Sequence, residues 1–266
     1  MMPKRLVLVR HGKSEGNEAK RLLTKGINVF TPEFLNRHSS KFRLVDVGID
    51  QAKNAGEWIK KNIGNTFSRY YVSEYIRALE TAALLDLPRA EWRKDFDLRE
   101  RDYGLMDLLS PDERELVFGE MIKLQKKDKF LMPMPGGGES IASMCLRVKS
   151  FIDTLHRGSP DDEDIVVCHG EFMWGCRVKL ERIPMETYHL LDQSDDPFDR
   201  IHNCQILEYT RVDPFTGQIY DCYHHMRSVC PNDLTRSKNE WVPIIRRKFS
   251  NEDLLAEVAR NPRIIA

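Results

Sequence analysis

Two histidines of this chain follow short apolar runs, and each is followed by glycine. His11 comes after Arg10 and the run at residues 6–9, Leu-Val-Leu-Val. His169 comes after the run at residues 165–168, Ile-Val-Val-Cys. An apolar strand that ends in a polar residue holds that side chain rigidly at the edge of a sheet. There a neutral imidazole can act as a nucleophile, and a guanidinium beside it can bind an anion.

Arg77 belongs to the same group of residues. It follows a further predicted strand, residues 70–73, and lies in the first turn of the helix predicted after that strand. Ligands of open α/β sheets sit beyond the carboxyl ends of the strands, so we expect Arg77 to meet His11 and His169 there. An arginine binds phosphate oxygens in pairs and stays charged. Arginines around imidazoles are therefore suited to phosphoryl transfer, in which an imidazole can attack phosphorus and water can open the phosphohistidine.

The elements that must position these residues alternate between strand and helix. Residues 4–9, 70–73 and 165–168 predict strands. Residues 49–63 and 141–155 predict amphipathic helices, because their apolar side chains recur at helical spacing. The alternation predicts an α/β fold, a three-layer α/β/α sandwich with a mainly parallel, doubly wound sheet and a short antiparallel extension.

The ends of these elements carry their own signals. Ser14, Ser73 and Ser140 are predicted to begin helices as caps, and the helix end at Ser14 would present free N–H groups to an anion. Residues 203–209 and 218–223 predict an antiparallel hairpin at the edge of the sheet. Beyond Ser228 the chain is expected to be irregular until a helix at residues 252–259.

The composition excludes several classes of protein. The chain has 266 residues, and its 41 Lys and Arg balance its 41 Asp and Glu, so no global field favours nucleic acid or an anionic membrane. The apolar run at residues 6–9 is too short for a signal peptide, and no segment approaches a membrane span. The six cysteines are scattered without a Cys-x-x-Cys pair. We therefore expect reduced thiols in a cytoplasmic protein without nucleic-acid or membrane partners.

The sequence Arg10-His11-Gly12, followed by Ser14 and Asn17, resembles the signature of branch 1 of the histidine phosphatase superfamily, also called the phosphoglycerate mutase-like family. Similar matches run in order from residue 4 to about residue 209. The resemblance implies the phosphoglycerate mutase-like fold. It also implies that His11 is the phosphorylated nucleophile, that Arg10 and Arg77 bind the phosphate, and that His169 is the second histidine in contact with it.

Two further roles come from the same resemblance. Asn17 matches the asparagine at the edge of the family's phosphate pocket, and Glu100, in Leu-Arg-Glu-Arg-Asp-Tyr-Gly, matches the usual proton donor of this branch. A carboxylic acid near the phosphate can protonate the leaving alcohol. Glu74, Asp102 and Glu171 are alternative candidates for that role.

No metal or cofactor is expected. His224 and His225 could bind a metal, but no other potential ligand has a convincing spacing. The glycines at 136–138 are not followed by the Lys-Ser/Thr of a phosphate-binding loop. Cys168 lacks the downstream arginine loop of cysteine phosphatases, so we expect a packed thiol there.

The expected organisation is one histidine phosphatase domain over residues 1–266, with a lid insertion at about 105–135 and a C-terminal extension from about residue 211. A helix is predicted over residues 111–127 within the insertion. Residues 16–43 mix basic and aromatic side chains. This pattern fits an excursion over the mouth of the site and fits a solvated surface loop equally well.

Within the family, the chain resembles broad-range phosphatases more than mutases. It has Gly16 where the familiar mutases have tryptophan, and the segment before the Gly-Glu-Ser turn at 138–140 is short and lacks a paired-arginine motif. We expect a phosphomonoester hydrolase that acts through a phosphohistidine on small phosphorylated metabolites. The alternatives are phosphotransfer of the cofactor-dependent phosphoglycerate mutase type, and a catalytically weak protein that binds phosphorylated ligands.

The sequence does not identify the substrate. Lys25, Arg37 and Lys123 are candidate contacts to a second anionic group. A homodimer is compatible with the sequence, which leaves the oligomeric state open.

Overall fold

The computed structural model describes residues 1–265 and has a seven-stranded sheet with helices on both faces. The strands are β1 (Arg5–Arg10), β2 (Arg69–Ser73), β3 (Trp92–Asp95), β4 (Glu163–Cys168), β5 (Ile206–Thr210), β6 (His225–Val229) and β7 (Trp241–Pro243). The helices are α1 (Glu15–Leu23), α2 (Pro32–Leu35), α3 (Asp46–Asn62), α4 (Ile76–Leu84), α5 (Pro111–Lys127), α6 (Ile141–Leu155), α7 (Gly170–Glu181), α8 (Met185–Gln193) and α9 (Asn251–Ala259). Short 3₁₀ turns connect several of them.

The sheet order is β3-β2-β4-β1-β5-β6-β7. Strands β1 to β4 pair in parallel, and β5, β6 and β7 extend the sheet in antiparallel pairing. This arrangement confirms the predicted α/β fold with a mainly parallel, doubly wound sheet. It also places the carboxyl ends of β1, β2 and β4 side by side, with β1 and β4 as direct neighbours.

Strand β1 has apolar side chains on both of its faces because helices cover the sheet on both sides. Leu6 and Leu8 pack with α6 and α7, whereas Val7 and Val9 pack with α3 and α4. All four side chains are almost fully buried. Burial of a side chain of this size contributes roughly 1.5–3 kcal/mol. The residue that follows β1 is therefore held by a rigid support on two sides.

The serine caps were predicted correctly at two of three helices. Ser14 and Ser140 each accept a hydrogen bond from the third residue of their helix, which completes a capping box. The prediction for Ser73 is wrong: it ends β2, and α4 begins at Ile76 after Tyr75. The Ser73 hydroxyl instead contacts His169, a partner that is far away in sequence.

The predicted partner strand at residues 218–223 is wrong. That segment forms a single bridge, between Ile219 and Val212, and β5 pairs with β6 instead. The register places the buried Glu208 opposite Arg227, whose Nε donates to its carboxylate at 3.0 Å. The two charged residues lie on different strands, so the spacing of residues along the chain did not predict that they pair. The tail is also more regular than expected, because β7 pairs with β6 before α9 begins at Asn251.

The predicted helix over residues 111–127 is present as α5, and it lies outside both apolar cores. Four of its apolar residues are exposed, and Leu116 is the most exposed of them at 85%; the others are Val117, Met121 and Leu124. Helix α9 is likewise exposed along its length. No helix within residues 1–265 is long and apolar enough to cross a membrane.

Two glycines allow the loop after β1 to pass close to the start of α3. A Cβ atom added to Gly12 would lie 2.4 Å from the carbonyl oxygen of Gly48. A Cβ atom added to Gly48 would lie 2.1 Å from the carbonyl oxygen of Lys13. Neither position tolerates a side chain without a backbone shift, so this crossing fixes the path of the chain directly after His11.

Candidate active site

The structure brings together the residues predicted at the strand ends. Arg10 is the last residue of β1, and His11 follows it. His169 follows β4 and caps α7, while Arg77 lies in the first turn of α4. Because Arg10 pairs with Cys168 in the sheet, the two histidines that come next are neighbours, and their ring centroids are 5.1 Å apart.

His11 is buried, and its two ring nitrogens have different partners. Nδ1 lies 2.7 Å from the carbonyl oxygen of Gly12, which can only accept, so Nδ1 carries the proton. Nε2 therefore has a free lone pair, and it accepts a hydrogen bond from Nε of Arg77 at 3.1 Å. Burial, together with the charges of Arg77 and Arg10, holds the pKa of His11 well below its ordinary value. The imidazole is thus neutral at physiological pH, with Nε2 as its basic atom.

His169 is fully buried beside His11. Its Nε2 lies 2.8 Å from Oγ of Ser73, which also accepts from the backbone N–H of Tyr75 at 3.4 Å. The hydroxyl of Ser73 can donate its proton to Nε2, and the ring proton of His169 is then on Nδ1. Among the described residues, Nδ1 has no hydrogen-bond partner. A phosphate oxygen could accept that proton. Burial and the charge of Arg77 keep the pKa of His169 well below its ordinary value.

The two arginines reach the site from different elements. Nη1 of Arg10 donates to the carbonyl oxygen of Ile201 at 2.5 Å, and its buried Nε has no partner within residues 1–265. Arg77 donates through Nε to His11 and through Nη1 to the carbonyl oxygen of Ser39 at 2.7 Å. Burial lowers the pKa of both guanidiniums. Desolvated guanidiniums with unused donors are suited to bind an anion.

Glu100 lies close to both histidines. One of its carboxylate oxygens and one ring nitrogen from each of His11 and His169 lie within 4.8 Å of one another. Oε1 of Glu100 accepts hydrogen bonds from the backbone N–H groups of Arg101 at 3.0 Å and Glu171 at 3.2 Å. These bonds fix the carboxylate at the cavity, and no side-chain cation within residues 1–265 forms an ion pair with it.

The three alternative candidates for the proton donor differ in whether they line the cavity. Glu74 and Asp102 are exposed and do not line the cavity. Glu171 does line it, and burial together with repulsion from Glu100 raises its pKa. Glu100 and Glu171 are therefore the two carboxyl groups of this set that face the cavity.

Asn17 also lines the cavity, at the start of α1. Its Oδ1 accepts hydrogen bonds from the backbone N–H of Ser14 and from Nδ2 of Asn203, each at 3.2 Å. The amide nitrogen of Asn17 is thus the group it can offer to a ligand. The sequence did not predict Asn203 as a site residue. Its Nδ2 also donates to the carbonyl oxygen of His11.

Five of the predicted site residues, Arg10, His11, Asn17, Arg77 and Glu100, line a cavity of about 360 Å3. The sixth, His169, lies beside His11 and is not part of the cavity lining. The other charged side chains of the cavity were not predicted as site residues; the basic ones are Lys20, Arg101 and Arg114, and the acidic one outside the candidate set is Asp107. In all, five basic and three acidic side chains line it, so the site attracts anions locally although the whole chain is neutral.

The basic residues suggested for a second anionic group lie elsewhere. Lys25, Arg37 and Lys123 do not line the cavity. Arg37 faces Glu15 at 3.5 Å, and Lys123 pairs with Glu120 at 2.7 Å on the exposed side of α5. The directions of side chains in loops are not set by periodicity, so the sequence did not show which cations line the cavity.

His11, Glu100 and His169 could by distance present three ligand atoms to a metal ion. Nε2 of His11 and Nε2 of His169 are both engaged with protein donors or acceptors. The guanidiniums of Arg10 and Arg77 stand beside the same atoms and would repel a cation. The charge of the site therefore fits an anion better than a divalent metal.

Comparison with known proteins assigns the chain to a family. The sequence profile of the histidine phosphatase superfamily (branch 1) matches residues 6–202, so the chain belongs to this superfamily of phosphoglycerate mutase-like enzymes. Its relatives include the 2,3-bisphosphoglycerate-dependent phosphoglycerate mutase of Methylorubrum populi, which is 31% identical over 197 residues, 72% of this chain and 85% of that protein. The same enzyme of Nitrobacter hamburgensis is 32% identical over 198 residues, 70% of this chain and 85% of that protein.

Solved structures share the fold. The alpha-ribazole phosphatase of Shigella flexneri superimposes with a TM-score of 0.60 at 19% identity, covering 82% of this chain and 96% of that one. Mycobacterial glucosyl-3-phosphoglycerate phosphatase, in complex with inorganic phosphate, gives a TM-score of 0.58 at 20% identity, covering 78% and 89%. At these identities the likeness concerns the fold.

Proposed function

We propose that this chain hydrolyses phosphomonoesters of small metabolites through a phosphohistidine on His11. The observation that carries the proposal is the state of His11: a neutral imidazole whose Nε2 lone pair lies among Arg77, Arg10 and His169. A nucleophile of this kind needs a bound and neutralised phosphoryl group, and the unused donors of the site supply the binding.

Binding begins with an exchange of partners at Arg77. In the free protein its Nε donates to His11, and a dianionic phosphate is a stronger acceptor than a neutral imidazole. The guanidinium turns to the phosphate oxygens and exposes the lone pair of Nε2. Nε of Arg10 and Nδ1 of His169, which have no protein partner among residues 1–265, donate to the same phosphoryl group.

Two displacements complete the reaction. Nε2 of His11 attacks phosphorus, the bond from phosphorus to the ester oxygen breaks, and Glu100 gives its proton to the departing alcohol. Water then attacks the phosphohistidine, and Glu100 takes the proton of that water. The P–N bond breaks, which returns the electron pair to Nε2 and releases phosphate. Asn17 and the N-terminus of α1 border the phosphate during both steps.

Phosphoglycerate mutase-type transfer is the second candidate, and the names of the sequence relatives favour it. Those relatives, about 30% identical to this chain, are 2,3-bisphosphoglycerate-dependent phosphoglycerate mutases. Both reactions share the phosphohistidine; in the mutase, the phosphoryl group passes to a second substrate hydroxyl instead of to water. Product analysis distinguishes the two.

The test measures products from p-nitrophenyl phosphate, several sugar phosphates, and 3-phosphoglycerate with its bisphosphate. We expect free phosphate from the wild type and a loss of at least roughly 10³-fold in kcat for His11→Ala. His156→Ala is the matched control, because His156 is an exposed residue that follows α6. Accumulation of 2-phosphoglycerate with little phosphate would replace the hydrolase with the mutase. Equal activity of wild type and His11→Ala would refute both.

A further inference from the structure

Three phenylalanines line the same cavity as the residues at the strand ends. We call Phe30, Phe34 and Phe42 the aromatic wall; all three line the cavity and are half-buried. The rings of Phe34 and Phe42 stack with centroids 4.6 Å apart, and Phe30 meets Phe34 edge to face at 5.4 Å. None of the three belongs to either apolar core of the fold. Their exposed faces thus border the cavity instead of the protein interior.

The aromatic wall is fixed to the helix that begins beside the proposed nucleophile. A Cβ atom added to Gly16, in the first turn of α1, would lie 3.0 Å from Cδ2 of Phe42. The ring of Phe42 therefore occupies the space that a side chain at position 16 would need. Phe34 is held by α2, where its backbone N–H donates to Oγ1 of Thr31 at 3.3 Å. The wall is a built surface, not a group of free side chains.

The chain segment that carries Phe34 and Phe42 also accepts a hydrogen bond from Arg77, one of the two arginines proposed to bind the phosphate. Arg77 donates to the carbonyl oxygen of Ser39, which lies between Phe34 and Phe42 in the chain. The hydroxyl of Ser39 in turn donates to Asp107 at 2.6 Å. The aromatic wall and the proposed phosphate site are therefore joined through one backbone segment and one continuous cavity. A phosphomonoester whose phosphoryl group sits at His11 has its alcohol part in the remaining space, beside the wall.

We propose that the substrate is a phosphomonoester whose alcohol part carries an aromatic ring or another flat apolar group, seated against Phe34 and Phe42. The inference rests on the proposed hydrolase function and names its substrate class. An alcohol with only hydroxyl groups would leave these rings in contact with water, whereas a flat apolar group removes apolar surface on both partners from water and stacks on a ring face. The occupant is thus the leaving group of the reaction itself.

The first experiment compares 2-phenylethyl phosphate with ethyl phosphate. Both are alkyl esters with similar leaving-group chemistry, so a difference in kcat/KM reports on the ring. Burial of a phenyl ring predicts a ratio of roughly 10- to 100-fold in favour of the phenylethyl ester. Phe34→Ala should lower that ratio roughly tenfold, and Phe30→Ala should lower it to a smaller degree because Phe30 meets the stack only at an edge. A ratio near one in the wild type would overturn the inference while leaving the hydrolase function intact.

Phe215→Ala is the matched control, since Phe215 is 75% exposed and does not line the cavity. This variant should keep the wild-type ratio. If Phe215→Ala lowers the ratio as much as Phe34→Ala does, the preference does not come from the aromatic wall, and the inference fails.

A second measurement is independent of hydrolysis. 2-Phenylethylphosphonate and ethylphosphonate contain a P–C bond that the reaction cannot cleave, and calorimetric titration gives their Kd values. We expect the wild type to bind the phenylethyl compound roughly tenfold or more tightly, and Phe34→Ala to lose most of that preference. This result would support the apolar subsite even if no ester were hydrolysed. Equal affinity for the two phosphonates would contradict it even if hydrolysis were observed.

Discussion

The two sides of the cavity are supported in different ways. At the strand ends, His11 and His169 follow β1 and β4, which pair along their full length and have packed helices on both faces. The aromatic wall stands on α2, a helix of four residues, and on a loop tied to its surroundings by hydrogen bonds such as that between Ser39 and Arg77. The chemistry thus lies on rigid elements, and the surface that would meet the rest of the substrate lies on a segment with few core contacts. Such a segment can change in sequence without disturbing the packed strands that carry His11 and His169.

Arg77 is the residue that connects the two sides, because it donates to both His11 and the Ser39 carbonyl. Arg77→Ala should lower kcat/KM for p-nitrophenyl phosphate by about 10³-fold, a loss of about 4 kcal/mol in transition-state binding. Steady-state kinetics measure the effect. Arg37→Ala serves as the control, since Arg37 is exposed and lies outside the cavity. A loss below tenfold would show that the clamp does not depend on Arg77.

Unfolding measurements test the difference in support directly. Leu8→Ala removes a fully buried side chain from β1 and should lower the free energy of unfolding by roughly 2–5 kcal/mol. Leu116→Ala, the same change on the exposed face of α5, should alter it by no more than about 0.5 kcal/mol. Urea titration of both variants measures these values. If both variants lose a similar free energy of unfolding, another molecule covers the exposed face of α5 in solution.

Glu100 and Glu171, the two candidate proton donors that line the cavity, should differ in their effect on the leaving group. Glu100→Gln should lower kcat for alkyl phosphates by roughly 10²-fold, because a poor leaving group needs the proton. For p-nitrophenyl phosphate, whose leaving group needs no proton, the loss should be several-fold smaller. Glu171→Gln preserves size and should show no such dependence on the ester. If Glu171→Gln shows the dependence and Glu100→Gln does not, the proton donor is Glu171.

The pH dependence of stability reports on the buried histidines. The pKa values of His11 and His169 lie well below the ordinary value of 6.5, so the unfolded chain binds more protons than the folded chain as the pH falls below that value. The free energy of unfolding should therefore decrease on acidification below about pH 6.5, by at most about 1.4 kcal/mol per pH unit for each histidine. Urea titrations at pH 7, 6 and 5 measure the slope.

Other groups also titrate in this range, and a variant isolates the contribution of one histidine. His11→Gln removes one of the two buried imidazoles of the candidate active site and should flatten the slope, while the same measurement on His156→Ala, a change at an exposed position, is the control. An unchanged slope in His11→Gln would mean that His11 is not held neutral in the folded protein.

The residues of the cavity that follow the strand ends could be predicted from the sequence, whereas most of the other lining residues could not. An apolar run that ends in Arg10 and His11 indicates both the element and the direction of the side chains, because parallel strands share one carboxyl edge. The positions of Arg101 and Arg114 depend on the paths of loops and on the packing of α5, and no local pattern specifies these.

The errors in the predicted fold also come from contacts that no local pattern specifies. The segment at 218–223 has the composition of a strand, yet the strand that pairs with β5 is β6 at His225–Val229, where Arg227 lies opposite Glu208 and donates to its carboxylate. Ser73 resembles a helix cap in the sequence and instead orients a ring that lies 96 residues away. In both cases a long-range partner decided the outcome, and propensity alone does not encode such partners.

The hydrogen bond from Arg77 to His11 also bears on the chemical reactivity of the resting protein. An imidazole with a low pKa and a free lone pair would be acylated or alkylated readily by electrophiles. Here the lone pair is engaged, and the ring is buried. Reagents such as diethyl pyrocarbonate should therefore modify the exposed histidines of the free protein before they modify His11. In the proposed reaction, the guanidinium that engages this lone pair in the free protein is also the group that releases it when a phosphoryl group binds.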